Sequence, residues 1–338
     1  MQIRKILIIK LSHAEELILT TPVIRALKTQ LDNVEVHYCT KQQHHALLSA
    51  NPYVDRICLL KDSIMALIRQ LKSEKYDAVV DLQHDLRSKF ITSFLRTRIF
   101  RPDNLIHEIW MMVNLKINRL PNVHIVDRYM EAVKPMHIKT DKLGLDYFIP
   151  EMDEIEESWI PEAHHKEFVV FGIGASKFTK KLPLNKMIEL CDKINRPVIL
   201  LGGNEDHHTG EMISTFFERR PDNIEFESGL NKMNKKTQIF NACGIFNINQ
   251  SASIIKRAKY VFTHDSLIMQ IAAAYKKQIF SIWGNTIPLF GKYPYKTKFM
   301  VFENTKLNCR PCSKTGFKKC PKGHFKCMND IAFDFYLP

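Results

Sequence analysis

No apolar run in this sequence approaches the ~18 to 20 residues that span a bilayer, so no transmembrane helix is expected. The basic start "MQIRKILIIK" has only "ILII" as a candidate signal core before Lys10, and no small-residue cleavage site follows. The expected location is therefore the cytoplasm. The first strand-like run is not followed by Gly-x-Gly-x-x-Gly, which argues against a nicotinamide-dependent oxidoreductase. No Gly-Lys-Ser/Thr of a Walker A loop occurs, and no arginine-rich arm or aromatic-basic motif points to nucleic acid. Acidic residues are in deficit, 36 Asp plus Glu against 49 Lys plus Arg, a formal net charge of +13. Such a surface attracts anions, leaving phosphorylated substrates and an anionic membrane face as candidate partners.

What is present is alternation. "KILIIK", "VEVHYCT", "VDRICLL" and "YDAVVDLQ" read as strands, with "EELILTTPVIRALKTQL", "HHALLSA" and "DSIMALIRQLKSE" between them as helices. "VDRYMEAV" reads as an amphipathic helix near the end of this half. The pattern restarts after the acidic, proline-bearing stretch 149–167 with "FVVFGIG", "PVILLGG", "YVFTHD" and "IFSIWG", separated by helical segments. Strands and helices at this pitch imply parallel βαβ units covered on both faces. The expectation is an α/β protein of two doubly wound, Rossmann-like domains facing a cleft. Residues 1–155 would form the first domain, 156–165 a connector and 166–338 the second. Ligands of such sheets bind at the carboxyl ends of the strands, which directs attention to the loops there.

Four loops carry candidate chemistry. In "KLSHAEELILTTP", Ser12 and Glu15 have capping-box spacing, so Glu15 is expected to close the helix start. Glu16 is then free to face the cleft as a carboxylate that takes a proton. In "GIGASKFTKKLP", Gly172 and Gly174 allow close approach of the backbone, and Lys177, Lys180 and Lys181 supply charge. "LLGGNEDHHTG" leaves a buried strand through Gly202 and Gly203 and presents Glu205 as a nucleoside contact. In "YVFTHDSLIMQIAAA", a strand ends at His264-Asp265 and a helix begins at Ser266, whose first-turn amides form an anion site.

Taken in order, these stretches resemble glycosyltransferase family 9, the heptosyltransferases of lipopolysaccharide core assembly. The family's strand–Ser-Ser-x-Gly-Asp–aliphatic–Thr-x-Pro-x-x-Arg-x-Leu start is matched by "LSHAEELILTTPVIRAL". "TKKLP", "LLGGNED" and "HDSLIMQ" match its later motifs, and "CRPCSKTGFKKCPKGHFKCM" looks like the tail of some members. The resemblance implies a GT-B arrangement and metal-free transfer of a sugar, with inversion, from a nucleotide donor such as ADP-heptose. The implied acceptor is a lipopolysaccharide or another anionic, lipid-linked glycan at the inner membrane surface. It places Glu16 at the reacting acid, and Lys180, Glu205, Asp265, Ser266, Leu267 and Ile268 around the donor. Four positions depart from the pattern. Glu15 stands for a glycine, Glu16 for an aspartate, Leu267 for a glycine and Gln270 for a histidine. These departures support a second expectation, a family fold kept for binding or scaffolding without transfer.

Eight cysteines occur, four of them as Cys309-x2-Cys312-x7-Cys320-x6-Cys327. Reduced thiols packed in a loop are one reading. Knuckle spacing in the first pair supports another, a structural zinc on Cys309, Cys312, Cys320 and Cys327.

Overall fold

The structure is a computed structural model that describes residues 3–219 and 236–337. It contains two parallel sheets. The first is built from β1 (Lys5–Ile9), β2 (Glu35–Lys41), β3 (Arg56–Leu60), β4 (Ala78–Asp81) and β5 (Arg98–Phe100), in the order β3-β2-β1-β4-β5. The second comprises β6 (Val169–Gly172), β7 (Val198–Leu201), β8 (Ile239–Asn241), β9 (Tyr260–His264), β10 (Gln278–Trp283) and β11 (Phe299–Glu303). Its order is β11-β10-β9-β6-β7-β8. Every strand pair in both sheets is parallel. The expected pair of doubly wound domains is therefore what the chain forms. The central strands are buried throughout because helices cover both faces, which explains their continuous aliphatic runs.

The strand order reverses once in each sheet, between β1 and β4 and between β6 and β9. At such a reversal the loops leaving the two strands turn to opposite faces and leave a crevice beyond the carboxyl ends. The chain there contributes Lys10 to His13 after β1, Leu82 to Asp85 after β4, the loop from Ile173 after β6, and Asp265 after β9. Three of the four sequence motifs, those after β1, β6 and β9, thus meet because of topology rather than nearness in sequence.

"EELILTTPVIRALKTQL" is not one helix. It divides into Ala14–Ile18 and Thr21–Gln30. Thr20 and Thr21 turn their hydroxyls back onto the carbonyls of Leu17 and Ile18, at 2.6 and 2.8 Å. Pro22, lacking an amide hydrogen, suits the first turn of the second helix. "HHALLSA" begins within a 3-10 turn, Gln42–Leu47, instead of an α-helix.

The short first helix packs against Leu267–Ala274 of the second half, and one apolar cluster runs from Ile6 and Leu17 to Val261 and Met269. Polar contacts also cross. Ile125 donates its amide to the Gly291 carbonyl, and the Tyr295 hydroxyl donates to Asp127 at 2.6 Å. The acidic stretch is tied down as well, with Asp153 accepting from Asn247 and Asn249 and Glu154 from Ser253 and Lys256.

Candidate functional site

Lys10 is the last residue before the β1 loop, and its ammonium lies buried 2.7 Å from Glu16 Oε2. It also donates to the Leu82 carbonyl and the Tyr129 hydroxyl, at 3.0 and 2.9 Å. Ser12 Oγ donates to the same Glu16 oxygen at 2.6 Å. The other oxygen, Oε1, pairs with Lys292 from the second domain. Glu16 is thus a buried carboxylate between two ammonium groups, one on each side of the domain boundary. Burial alone raises a carboxyl pKa, but here Lys10 and Lys292 outweigh it and hold Glu16 well below the usual carboxylate range. Both lysines are correspondingly shifted upward despite their burial, chiefly by Glu16.

The expected capping box is absent. The helix starts at Ala14, its N-cap is His13, and no side chain caps it. Ser12 is one residue too early to reach the first-turn amides and serves Glu16 instead. Glu15 stays in the first turn, where a carboxylate favours the helix dipole.

Glu16 opens on a cavity of about 460 Å³ lined by Lys10, Gln83, Lys89, Arg128, Lys292 and Lys314, among others. Arg128 reaches it from the helix Ile125–Val133. Its guanidinium donates to the Phe290 carbonyl at 3.2 Å, while its buried Nε has no partner among the described residues. Burial lowers its pKa. A ligand here meets three carboxylates, Glu16, Asp85 and Asp103, and five cations, Lys10, Lys89, Arg128, Lys292 and Lys314.

Beyond Lys292 lies a second crevice lined by His13, Glu15, Ser176, Lys180, Asp265 and Trp283, with only about 10 Å³ of free space. Lys180 is buried and paired with Asp265 at 2.8 Å, and the same carboxylate oxygen accepts from Thr286 at 3.2 Å. The Trp283 indole nitrogen is buried without a partner among the described residues. Lys181 points elsewhere, to Asp206. Asp206 also accepts from the Gly203 amide at 3.0 Å. A Cβ on Gly174 or Gly202 would stand 2.6 or 2.7 Å from Asp206, so these glycines make room for that carboxylate. A Cβ on Gly172 would meet Ile268 and Thr263 at 2.9 Å.

Of the residues assigned to the donor, Lys180 and Asp265 therefore share this crevice, and the others do not line it. Glu205 is exposed on the 3-10 turn Asn204–Asp206. Ser266 is the N-cap of Leu267–Ala274, makes no side-chain cap bond, and lies 3.1 Å from the Thr263 hydroxyl. Leu267 packs against the apolar cluster, and Ile268 covers Gly172. Gln270 is buried and donates to the Lys292 carbonyl at 2.9 Å, holding the segment that carries the cross-domain lysine. His264 accepts from the Leu182 amide at 3.0 Å, and burial lowers its pKa to about 3, so it stays neutral.

Among the described residues, no three His, Cys, Asp or Glu side chains are arranged to hold a metal ion. Cys309 Sγ lies 3.8 Å from His324 Nε2, and Cys312 Sγ lies 3.0 Å from the Cys309 carbonyl. Burial and the neighbouring thiols raise Cys312 to about 11 and Cys327 to about 12. The four cysteines share one lobe, but a zinc on all of them requires their side chains to turn toward a common centre.

Sequence reasoning missed Lys10, Lys292 and Arg128. Lys10 carried a signal, an ammonium closing an aliphatic strand. Lys292 carried none, since it sits 276 residues from its partner in a segment without periodicity.

The sequence model of glycosyltransferase family 9 (heptosyltransferase) matches residues 64–322. Lipopolysaccharide heptosyltransferase 3 of Escherichia coli K12 is 22% identical over 304 residues, 85% of this chain and 84% of that protein. Lipopolysaccharide heptosyltransferase 1 of Campylobacter coli is 23% identical over 209 residues, which spans 56% of this chain and 60% of that relative's length. The structure of the E. coli ADP-heptose lipopolysaccharide heptosyltransferase II superposes with a TM-score of 0.64 at 18% identity, covering 96% of this chain and 98% of that one.

Proposed function

Because the chain belongs to glycosyltransferase family 9, we propose that it transfers a heptose-like sugar from a nucleotide donor to a lipopolysaccharide or other lipid-linked acceptor. The observation that carries this reading is Glu16, a buried carboxylate on the short helix Ala14–Ile18 after β1, facing a cation-lined cavity next to a crevice holding Lys180. ADP-heptose, after which one structural relative is named, is the donor of choice. The acceptor is an anionic glycolipid at a membrane surface, matching Lys89, Arg128 and Lys314 around the larger cavity. No described helix is long and apolar enough to cross a membrane, so this chain would meet such an acceptor from the side.

In the proposed step the acceptor hydroxyl oxygen bonds to the anomeric carbon as the bond from that carbon to the diphosphate oxygen breaks. The electron pair leaves with the nucleoside diphosphate, the configuration inverts, and the hydroxyl proton passes to Glu16. Lys180 would meet the charge growing on the leaving diphosphate. A base works best with a pKa near the working pH, whereas two lysines hold Glu16 low. Lys292 must therefore leave Glu16 in the reacting complex, and the narrow crevice must widen to admit a donor. Separation of the two domains accomplishes both. No metal takes part in the step.

The Glu16–Lys292 bridge and the closed crevice also favour a second reading, a binding protein whose acid is neutralised. The two separate on incubation with ADP-heptose and heptose-deficient lipopolysaccharide, followed by mass spectrometry of the acceptor. A gain of one heptosyl unit that Glu16→Gln abolishes supports transfer; an unchanged acceptor with wild-type protein supports the second reading. The proposed structural zinc on Cys309, Cys312, Cys320 and Cys327 is tested separately. About one zinc per chain in tag-free protein is expected, and metal-free protein whose melting ignores chelators removes the idea.

A further inference from the structure

The mouth of the larger cavity carries apolar side chains with nothing packed over them. Leu86 and Ile106 line the cavity yet are 86% and 68% exposed. Each begins a helix, Leu86–Ser93 after β4 and Ile106–Asn114 after β5. Because β4 and β5 are hydrogen-bonded neighbours, the two helices start side by side at the same edge of the sheet. One turn further on, Phe90 and Trp110 are also exposed, and Phe94 continues the first stripe with its ring edge-on to Phe90 at 5.2 Å. Leu115 and Ile117 extend the exposed set beyond the second helix.

The charge around these side chains is mostly positive, with Glu108 the one acid on the second helix. Residues 84–119 contain seven Lys or Arg and three Asp or Glu. Two of the acids are occupied locally, since Asp85 accepts from Ser88 and Gln83, and Asp103 from Leu105. The side chains of Arg87, Lys89 and Arg119 are exposed and form no hydrogen bond or ion pair among the described residues. A second copy apposed through this face would set like charge against like. Aromatic and aliphatic side chains interleaved with unpaired cations match the boundary of an anionic bilayer, where the rings enter the headgroup region and the cations meet lipid phosphates.

We propose that the exposed starts of the helices Leu86–Ser93 and Ile106–Asn114 are the surface by which this protein lies on an anionic membrane. The cavity holding Glu16 then opens directly onto the lipid headgroups. This deepens the reading of a lipid-linked acceptor, but its test needs neither donor nor acceptor.

The full-length protein is sedimented with vesicles of phosphatidylcholine alone or mixed with phosphatidylglycerol, and tryptophan emission is recorded. Binding is expected only to the anionic vesicles, weakening as salt rises, with a blue shift that Trp110→Phe removes. Phe90→Ser combined with Trp110→Ser should lower vesicle affinity roughly tenfold or more, and Arg87→Glu should lower it without removing any apolar side chain. These three residues line neither cavity, so calorimetry with ADP on the same variants reports whether they remain folded. Equal vesicle binding by wild type and variants overturns the proposal. So does a dimer that the variants abolish and vesicles do not compete away. Lost vesicle binding in a wild type that still binds ADP defeats this surface alone; lost ADP binding with vesicle binding intact defeats the donor reading alone.

Discussion

At the scale of single residues, the account turns on Glu16 and its two lysines. Removing one partner of a buried ion pair leaves the other uncompensated, which costs about 3–5 kcal/mol. Glu16→Gln is therefore expected to lose roughly that much stability as well as transfer, because Lys10 and Lys292 keep their charge in a dry site. Chemical unfolding should be measured beside activity, with Glu16→Asp as the variant that keeps the charge. The pH dependence follows from the directions of the shifts. Glu16's lowered pKa stabilises the fold above the ordinary carboxyl value of 4.5 and ceases to do so only as pH falls through its depressed value. The raised lysines stabilise it below the ordinary value of 10.5 and lose this as pH rises through their elevated values. Across the interval between, the triad adds no slope to stability. Lys292→Ala removes one of the two cations that hold Glu16 low, so Glu16 should titrate higher. The acid limb of the kcat/KM profile, which reports the free enzyme in which Lys292 still holds Glu16, should rise with it, and an unmoved limb would detach Lys292 from the acid.

At the scale of elements, the sequence was most legible where strands are long and apolar. KILII, EVHYCTK and YVFTH were visible as strands because helices bury both their faces. The edge strands Arg98–Phe100, Ile239–Asn241 and Phe299–Glu303 were missed, being short or half-exposed and lacking that signal. The helix Leu86–Ser93 was missed too, since its outward face carries Leu86 and Phe90 and so breaks the apolar-in, polar-out rhythm. The site was legible in part for a similar reason. A motif shows which residue types gather at a strand end, as with Lys180 and Asp265, but not which way each side chain turns. In the sequence Gly174 reads as allowing close approach of the backbone and Gly202 as the exit from a strand, yet both make room for Asp206. Gly202→Ala would place a methyl group 2.7 Å from the Asp206 Cβ. It should cost about 1–3 kcal/mol through overpacking and loosen the Asp206–Lys181 pair. A melting temperature equal to wild type would mean the turn relaxes freely.

At the scale of the whole molecule, two doubly wound sheets share a continuous core and a cross-domain ion pair, with one roomy cavity and one closed crevice at the junction. This arrangement explains why the acid on the helix after β1 and the lysine after β6 lie beside adjoining cavities although they are far apart in the chain. It also implies that donor binding competes with domain contact: the space around Lys180 and Asp265 is too small for a nucleotide until the halves part. Calorimetry of the full-length protein with ADP, adenosine and other nucleoside diphosphates tests this most directly. Saturable ADP binding that Lys180→Ala weakens more than it weakens adenosine binding is the predicted result; no heat with any nucleotide or nucleotide sugar would contradict the account.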